Sequence, residues 1–295
     1  MSDMSTGSEA SCPKWAALAS HFIGACFDVA KPFIDKDFLG LDPYVRFVST
    51  QLFIDCHLTS ESALILIAND KEWDADSLCR SVMEGSVKYI YMLIGDTVEV
   101  RKKAEEYWDI MPSFESIKRS DRVKRFLETV SDTSGMEWRP LRELIMEDEA
   151  VEAISRTLTA KQIREITERW RFSNIRRQFE ESHDTASREL VHLAFSYGMS
   201  SHTLHKDGDG TAMVWDRYRR SAECQTAVAL AHSSRVVLDV CTFAQLRLRQ
   251  LLKVCNRSTE PILVLQEQYK SFFDELSGVY DDFTCIEYGE ELVDQ

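Results

Sequence analysis

Between Trp215 and Val254 the chain runs forty residues without a proline or a glycine. Apolar side chains recur along its whole length: Ala227, Leu230, Val236, Val237, Leu238, Val240, Phe243, Leu246, Leu251 and Leu252. Such a stretch has no residue that breaks a helix, and it is far too long for a strand. It predicts one long buried helix, and a helix apolar all round needs partner helices on several sides. The rest of the chain supplies them. Only 11 glycines and 6 prolines occur among 295 residues, and hydrophobic residues make up 44%. No alternation long enough for a strand and no internal repeat is present, so the expected fold class is all-α, a multi-helix bundle with long helices.

Helix boundaries follow from local signals. Residues 1–10 read as a small, polar, disordered tail. Trp15, Leu18, Phe22, Ile23, Cys26 and Phe27 recur at three and four and predict a helix over Lys14–Val29 that stops before Pro32. Asp42-Pro43 is a start signal for a helix running to Asn69, with a kink expected near Thr59-Ser60. A third helix is expected over Asp74–Asp96. Val98–Val130 is charged and amphipathic, with a break expected at Pro112. Arg139–Ile154 predicts short pieces, and Thr159 is an N-cap for Ala160–Trp170. The glycines of KDGDGT (206–211) predict a turn. Beyond Pro261 one further helix, Ile262–Leu276, precedes an acidic tail. The domain reading is a helical body over 11–255, with core segments 42–96 and 187–254 around an insertion at 97–186, then a C-terminal helix and tail over 256–295.

Charge and cysteine usage narrow the function classes. The formal net charge is −14, which opposes unspecific binding to nucleic acid or to an anionic membrane. Eight cysteines are scattered without a CxxC pair, as expected of buried free thiols in a reducing compartment, and no metal site or cofactor is expected. The N-terminus lacks the basic and apolar regions of a signal peptide, and the longest apolar run, Ala63–Ala68, is too short for a bilayer. A cytoplasmic protein is expected, with no membrane partner. No Walker loop, GxGxxG, GxSxG or HExxH occurs. Asp207 and Asp209 suggest a calcium loop, but Tyr218 stands where the twelfth-position Glu belongs.

One segment breaks the apolar rule. Ser187–Asp207 reads as a helix, and Tyr197, Ser201 and His205 follow one another at four-residue steps on the face shared with Leu190, Leu193, Ala194 and Leu204. Buried polar groups need partners. The nearest stock is the edge of the 74–96 helix, where Arg80 and Glu84 lie one turn apart. A cluster of Arg80, Glu84, Tyr197, Ser201 and His205 has two readings. It is a polar network that specifies packing, or a site in which His205 is the acid/base and Arg80 binds an anionic group.

The pair of motifs Arg80-x3-Glu84 and Tyr197-x3-Ser201-x3-His205 resembles a helical bacterial family known as domain of unknown function 5677. That family is similar in layout to the HEPN bundles, many of them ribonucleases of toxin and phage-defence systems. The resemblance spans roughly Asp42–Val254 and implies a HEPN-like core. HEPN nucleases carry a short Arg…His motif, and Arg177 and His183, with Arg176 also in range, match its spacing, although Gln178 replaces the polar residue often seen there. The resemblance therefore implies a metal-independent endoribonuclease or toxin-like effector, with His205 first and His183 with Arg177 second as its catalytic groups. Arg164, Arg169, Arg171 and Arg176, interleaved with Trp170 and Phe172, are the candidate nucleic-acid contacts; a solvated face balanced by Glu165, Glu168, Glu180 and Glu181 is the plainer reading. The alternative function is a non-enzymatic interaction or sensor protein whose polar cluster is structural. RNA and a protein partner are the two partner classes, and a homo-oligomer is left open.

Overall fold

The computed structural model describes residues 11–182, 188, 190–193, 197 and 207–288. Among them there are helices and no strand. The all-α expectation therefore holds. The helices are α1 (Ser11–Ile34), α2 (Pro43–Ile67), α3 (Glu72–Met92), α4 (Thr97–Glu105), α5 (Met111–Leu127), α6 (Arg139–Arg142), α7 (Asp148–Thr157), α8 (Ala160–Arg169), α9 (Phe172–Glu180), α10 (Gly208–Tyr218), α11 (Ala222–Val254), α12 (Glu260–Gln268) and α13 (Lys270–Tyr288).

The chain divides into two compact units. The first comprises Met1–Ile94 and Arg176–Gln295. In it α11 packs against α1, α2, α3 and α13, while α2 and α3 form a hairpin joined by four residues. Val236, Val237, Val240, Cys241, Phe243, Leu248 and Leu251 of α11 are fully buried with Phe22, Val48, Ile67 and Val82. Six of the eight cysteines are buried and all eight are free. By length and composition α1 and α11 could each cross a membrane; here their apolar faces pack together. The second unit is Gly95–Ile175. Its centre is buried Glu106, whose carboxylate takes Arg169 at 3.0 Å and the Trp170 indole N–H at 3.0 Å.

Local signals place several helix starts where expected. Asp42 accepts from the N–H groups of Tyr44 and Val45, and Pro43 follows it at the first helical position. Thr159 and Gln162 form a reciprocal capping box.

Elsewhere the boundaries move, each for a reason. α1 runs through Pro32 to Ile34, because a proline in the last turn removes a single backbone bond where the helix is ending anyway. α2 is unbroken at Thr59-Ser60; the Ser60 hydroxyl donates to the Cys56 carbonyl at 2.7 Å and leaves the ladder intact. Pro112 does not stop the chain. A π-helical turn, Glu106–Ile110, precedes it and places it at the start of α5, where its missing N–H costs nothing.

The expected turn at 206–211 is a helix start. Asp207 caps α10 by accepting from Gly210 N at 3.0 Å, so both glycines sit in a first turn whose N–H groups need a cap regardless. The single helix expected over Trp215–Val254 is two. Ser221 caps α11, and the Gln225 amide donates to the carbonyls of Tyr218 and Arg220 at 3.1 and 2.9 Å, closing α10. Side-chain caps on both sides of 219–221 thus outweigh helix continuity. Burial on α11 starts only at Ala231. The C-terminal helix is also two, α12 and α13, because Phe22 meets both Tyr269 and Phe273 edge-on at 5.2 and 5.1 Å, a tertiary contact without a local signal.

Candidate functional site

The polar residues of the first unit converge where α3 meets α11. On α3 the relevant positions are Asp76, Cys79, Arg80 and Glu84, all on adjoining helical faces. On α11 they are His232, Arg235 and Asp239, again at steps of three and four. Arg235 bridges the two helices, donating to Asp76 Oδ1 at 2.5 Å and to Asp239 Oδ2 at 3.2 Å.

Tyr197 joins from a third segment. Its hydroxyl donates to Asp239 Oδ2 at 2.7 Å and lies 2.9 Å from Cys79 Sγ. The phenol has one proton and gives it to the carboxylate, so the thiol donates to the phenol oxygen. Asp76, Asp239, Cys79 and Tyr197 are all buried. Burial raises both the Cys79 thiol and the Tyr197 phenol well above their ordinary pKa values, and both stay neutral.

The residues singled out from the sequence fall as follows. Arg80 pairs with Glu84 at 3.2 Å along α3, both partly exposed, and its Nη1 is buried without a partner. Tyr197 meets this same helix at Cys79, next to Arg80. Its backbone is a turn, whereas Arg188 and residues 190–193 are helical, so the helix expected over 187–207 is not continuous at Tyr197. Ser201, His205 and His183 lie outside the described residues. Arg164 and Arg177 are exposed. Arg169 is engaged by Glu106, Arg171 pairs with Glu168 at 3.1 Å and Arg176 with Glu180 at 3.2 Å. Trp170 is buried, with its indole N–H on Glu106.

The family of unknown function DUF5677 matches residues 46–217, more than half of the chain. The chain belongs to that family. No curated protein and no solved structure matches it. The matched span of this DUF5677 member includes Asp76, Arg80, Glu84 and Tyr197 but ends before α11.

His232, Arg235, Asp239 and Asp76 were missed by sequence reasoning. The signal was present: His232-x2-Arg235-x3-Asp239 places polar residues one helical turn apart, at steps of three and four, inside an apolar helix. Among the described residues no group of His, Cys, Asp and Glu could hold a metal ion.

His232 closes the network on one side. Its ring lies 3.9 Å from that of Trp73, and its Nε2 is 3.5 Å from Arg235 Nη2 and 3.9 Å from Asp76 Oδ1. Burial and then the Arg235 charge lower its pKa to about 3, against the opposing pull of Asp76. The imidazole is neutral in the fold, and Nε2 is the nitrogen that can accept from Arg235. Burial raises Asp239 to about 6, with Arg235 and the Tyr197 hydrogen bond holding it from rising further.

The two groups impose opposite pH dependences. Between pH 3 and 6.5 the unfolded chain binds a proton at His232 that the fold does not, so His232 makes stability rise with pH. Between pH 3.8 and 6 the fold holds a proton on Asp239 that the unfolded chain has lost, so Asp239 makes stability fall with pH. Each full proton is worth about 1.4 kcal/mol per pH unit. In their shared window they oppose one another. Relative to wild type, the slope of stability against pH from 4 to 6 is expected to turn negative in His232→Gln and more positive in Asp239→Asn. Urea unfolding of the three proteins across that range measures it; parallel curves would remove these residues as the titrating groups.

Proposed function

We propose that this DUF5677 member is a cytoplasmic, non-enzymatic helical interaction or sensor protein, whose Asp76–Arg235–Asp239–Tyr197–Cys79 network holds helices together. The observation that carries this reading is burial with saturation. Arg235 is engaged by two carboxylates, Tyr197 by a carboxylate and a thiol, and those partners are sealed from solvent. A general acid or base must reach a substrate proton, and among the described residues Tyr197 and Asp239 are engaged by each other, Cys79 and Arg235. The net charge of −14 suits a basic protein partner.

A second reading, a metal-independent endoribonuclease or toxin-like effector of phage defence, is favoured by one observation. Arg80 Nη1 is buried without a partner one residue from Cys79, which meets Tyr197. Arg80 would hold a phosphate, with His205 as acid/base and Ser201 as a further candidate; His183 with Arg177 is the second choice, and Arg164, Arg169, Arg171 and Arg176 are the candidate RNA contacts. Metal-free RNA cleavage requires a proton shuttle and charge stabilisation, which His and Arg supply.

One experiment separates the two. Wild type, His205→Ala and His183→Ala are expressed in cells, and total RNA integrity and growth are followed. Intact RNA and equal growth in all three is the expected result. RNA degradation by wild type that His205→Ala or His183→Ala abolishes would overturn the interaction reading in favour of the nuclease.

A further inference from the structure

A second polar feature adjoins the buried network at His232. The start of α3, the end of α10 and the first turns of α11 enclose a cleft of about 400 Å³, a size that accommodates a small organic molecule. Glu72 and Trp73 come from α3, Arg217 and Tyr218 from α10, Arg220 from the connection, and Val228 from α11. The cleft exists because Ser221 and Gln225 end one helix and begin another; a continuous helix would have no elbow there.

Its charge is out of balance. The Arg217 guanidinium carbon lies over the Trp73 ring, 3.6 Å from its centre. The neutral His232 ring packs against the same indole at 3.9 Å. Arg217 Nη1 is buried and has no hydrogen-bond partner. Its neighbour Arg220 is engaged by Asp216 at 2.9 Å. Arg217 makes no such pair with a described carboxylate. Burial, and then the charge of Arg220, lower its pKa to about 10, so it is protonated at neutral pH. Glu72 also lines the cleft; burial raises its carboxyl pKa, while the charge of Arg217 pulls the other way. A desolvated guanidinium with an unused donor is costly and is relieved by an anion that accepts from it. Tyr218 is stacked on Trp215 at 5.9 Å and stays exposed at the cleft, with Val228 as an apolar wall. An aromatic platform next to a cation suits a flat apolar body.

We infer that this cleft binds a small organic anion, with a phosphate or carboxylate on Arg217 and an aromatic body against Tyr218 and Val228. This deepens the sensing side of the proposed function and rests on it in one respect, that the ligand is bound and released unchanged. Calorimetric titration of the full chain with adenosine 5′-monophosphate, benzoate and inorganic phosphate tests it and separates phosphate from carboxylate recognition. Binding of a ring-bearing anion is expected, with inorganic phosphate weaker. Arg217→Met should weaken that binding by about tenfold or more, the loss of a charge-assisted hydrogen bond. Val228→Trp, which fills the cleft without removing a charge, should abolish it, and Arg249→Met, outside the cleft, should not alter it. No binding of any probe at millimolar concentration, or unchanged affinity in both Arg217→Met and Val228→Trp, overturns the proposal. Conversion of bound adenosine 5′-monophosphate to product would instead overturn the non-enzymatic reading and leave the site standing.

Discussion

Replacement of Arg235 by Met should lower the unfolding free energy by about 3–5 kcal/mol, the cost of stranding buried charge. The arginine bridges Asp76 and Asp239, at 2.5 and 3.2 Å. Both carboxylates are about 5% exposed, too buried for water to replace the lost partner. Burial works against the arginine's own charge, but the negative groups around it outweigh that and hold it protonated. The variant therefore keeps two desolvated carboxylates that have lost the cation they share. Urea midpoints at neutral pH measure the loss. Adding Asp76→Asn and Asp239→Asn to Arg235→Met should recover part of it, because neutral amides cost less to bury than carboxylates that have lost their cation. A loss below about 1 kcal/mol for the single variant would mean that the network does not hold the α3–α11 interface.

Arg247 should behave in the opposite way. It is about 1% exposed in the middle of α11, donates from Nη1 to Ser86 Oγ at 2.6 Å, and leaves Nε without a partner. Among the described residues no carboxylate pairs with it. Its surroundings are Phe53, whose ring lies 5.7 Å from the guanidinium, and the buried Tyr89 and Cys56. Burial lowers its pKa. Ser86 does not depend on the arginine, because its hydroxyl donates to the Val82 carbonyl at 2.6 Å. Arg247→Met removes the desolvation cost and keeps most of the volume. It should raise stability by about 1–4 kcal/mol, as found when buried ions give way to well-packed apolar residues. Arg247→Ala, which opens a void, should lower stability by roughly 2–5 kcal/mol instead. Thermal and urea midpoints of both variants decide the matter. A Met variant destabilised by more than about 2 kcal/mol would show that the charge is compensated in the fold.

The contrast between these two arginines shows where sequence reading loses its grip. Both sit on the inner side of one apolar helix, three turns apart, and in the sequence neither looks different from a solvated arginine. One meets two carboxylates and the other meets a serine hydroxyl. The Tyr197 motif was more legible, because three polar residues at four-residue spacing stand out against leucines. Its acceptor was not, since Asp239 belongs to a helix read as uniformly apolar. The basic, aromatic-rich segment 161–177 illustrates the reverse problem: Arg169 and Trp170 look like nucleic-acid contacts in the sequence, while Glu106, more than sixty positions earlier, takes both.

The sequence by itself determined that the chain is all-helical, where Asp42, Thr159 and the long apolar segment start or sustain helices, and which family it belongs to. Caps, proline placement and apolar periodicity act through residues three or four apart, so they can be read from a single string. Only the tertiary structure decided that Asp76 meets Arg235 across 159 positions and that Cys79 meets Tyr197 across 118. It also decided that α10 and α11 are separate helices with a cleft at their junction. These outcomes depend on which helix faces are buried against one another, and a buried polar group takes the partner that packing delivers rather than the one its own helix offers.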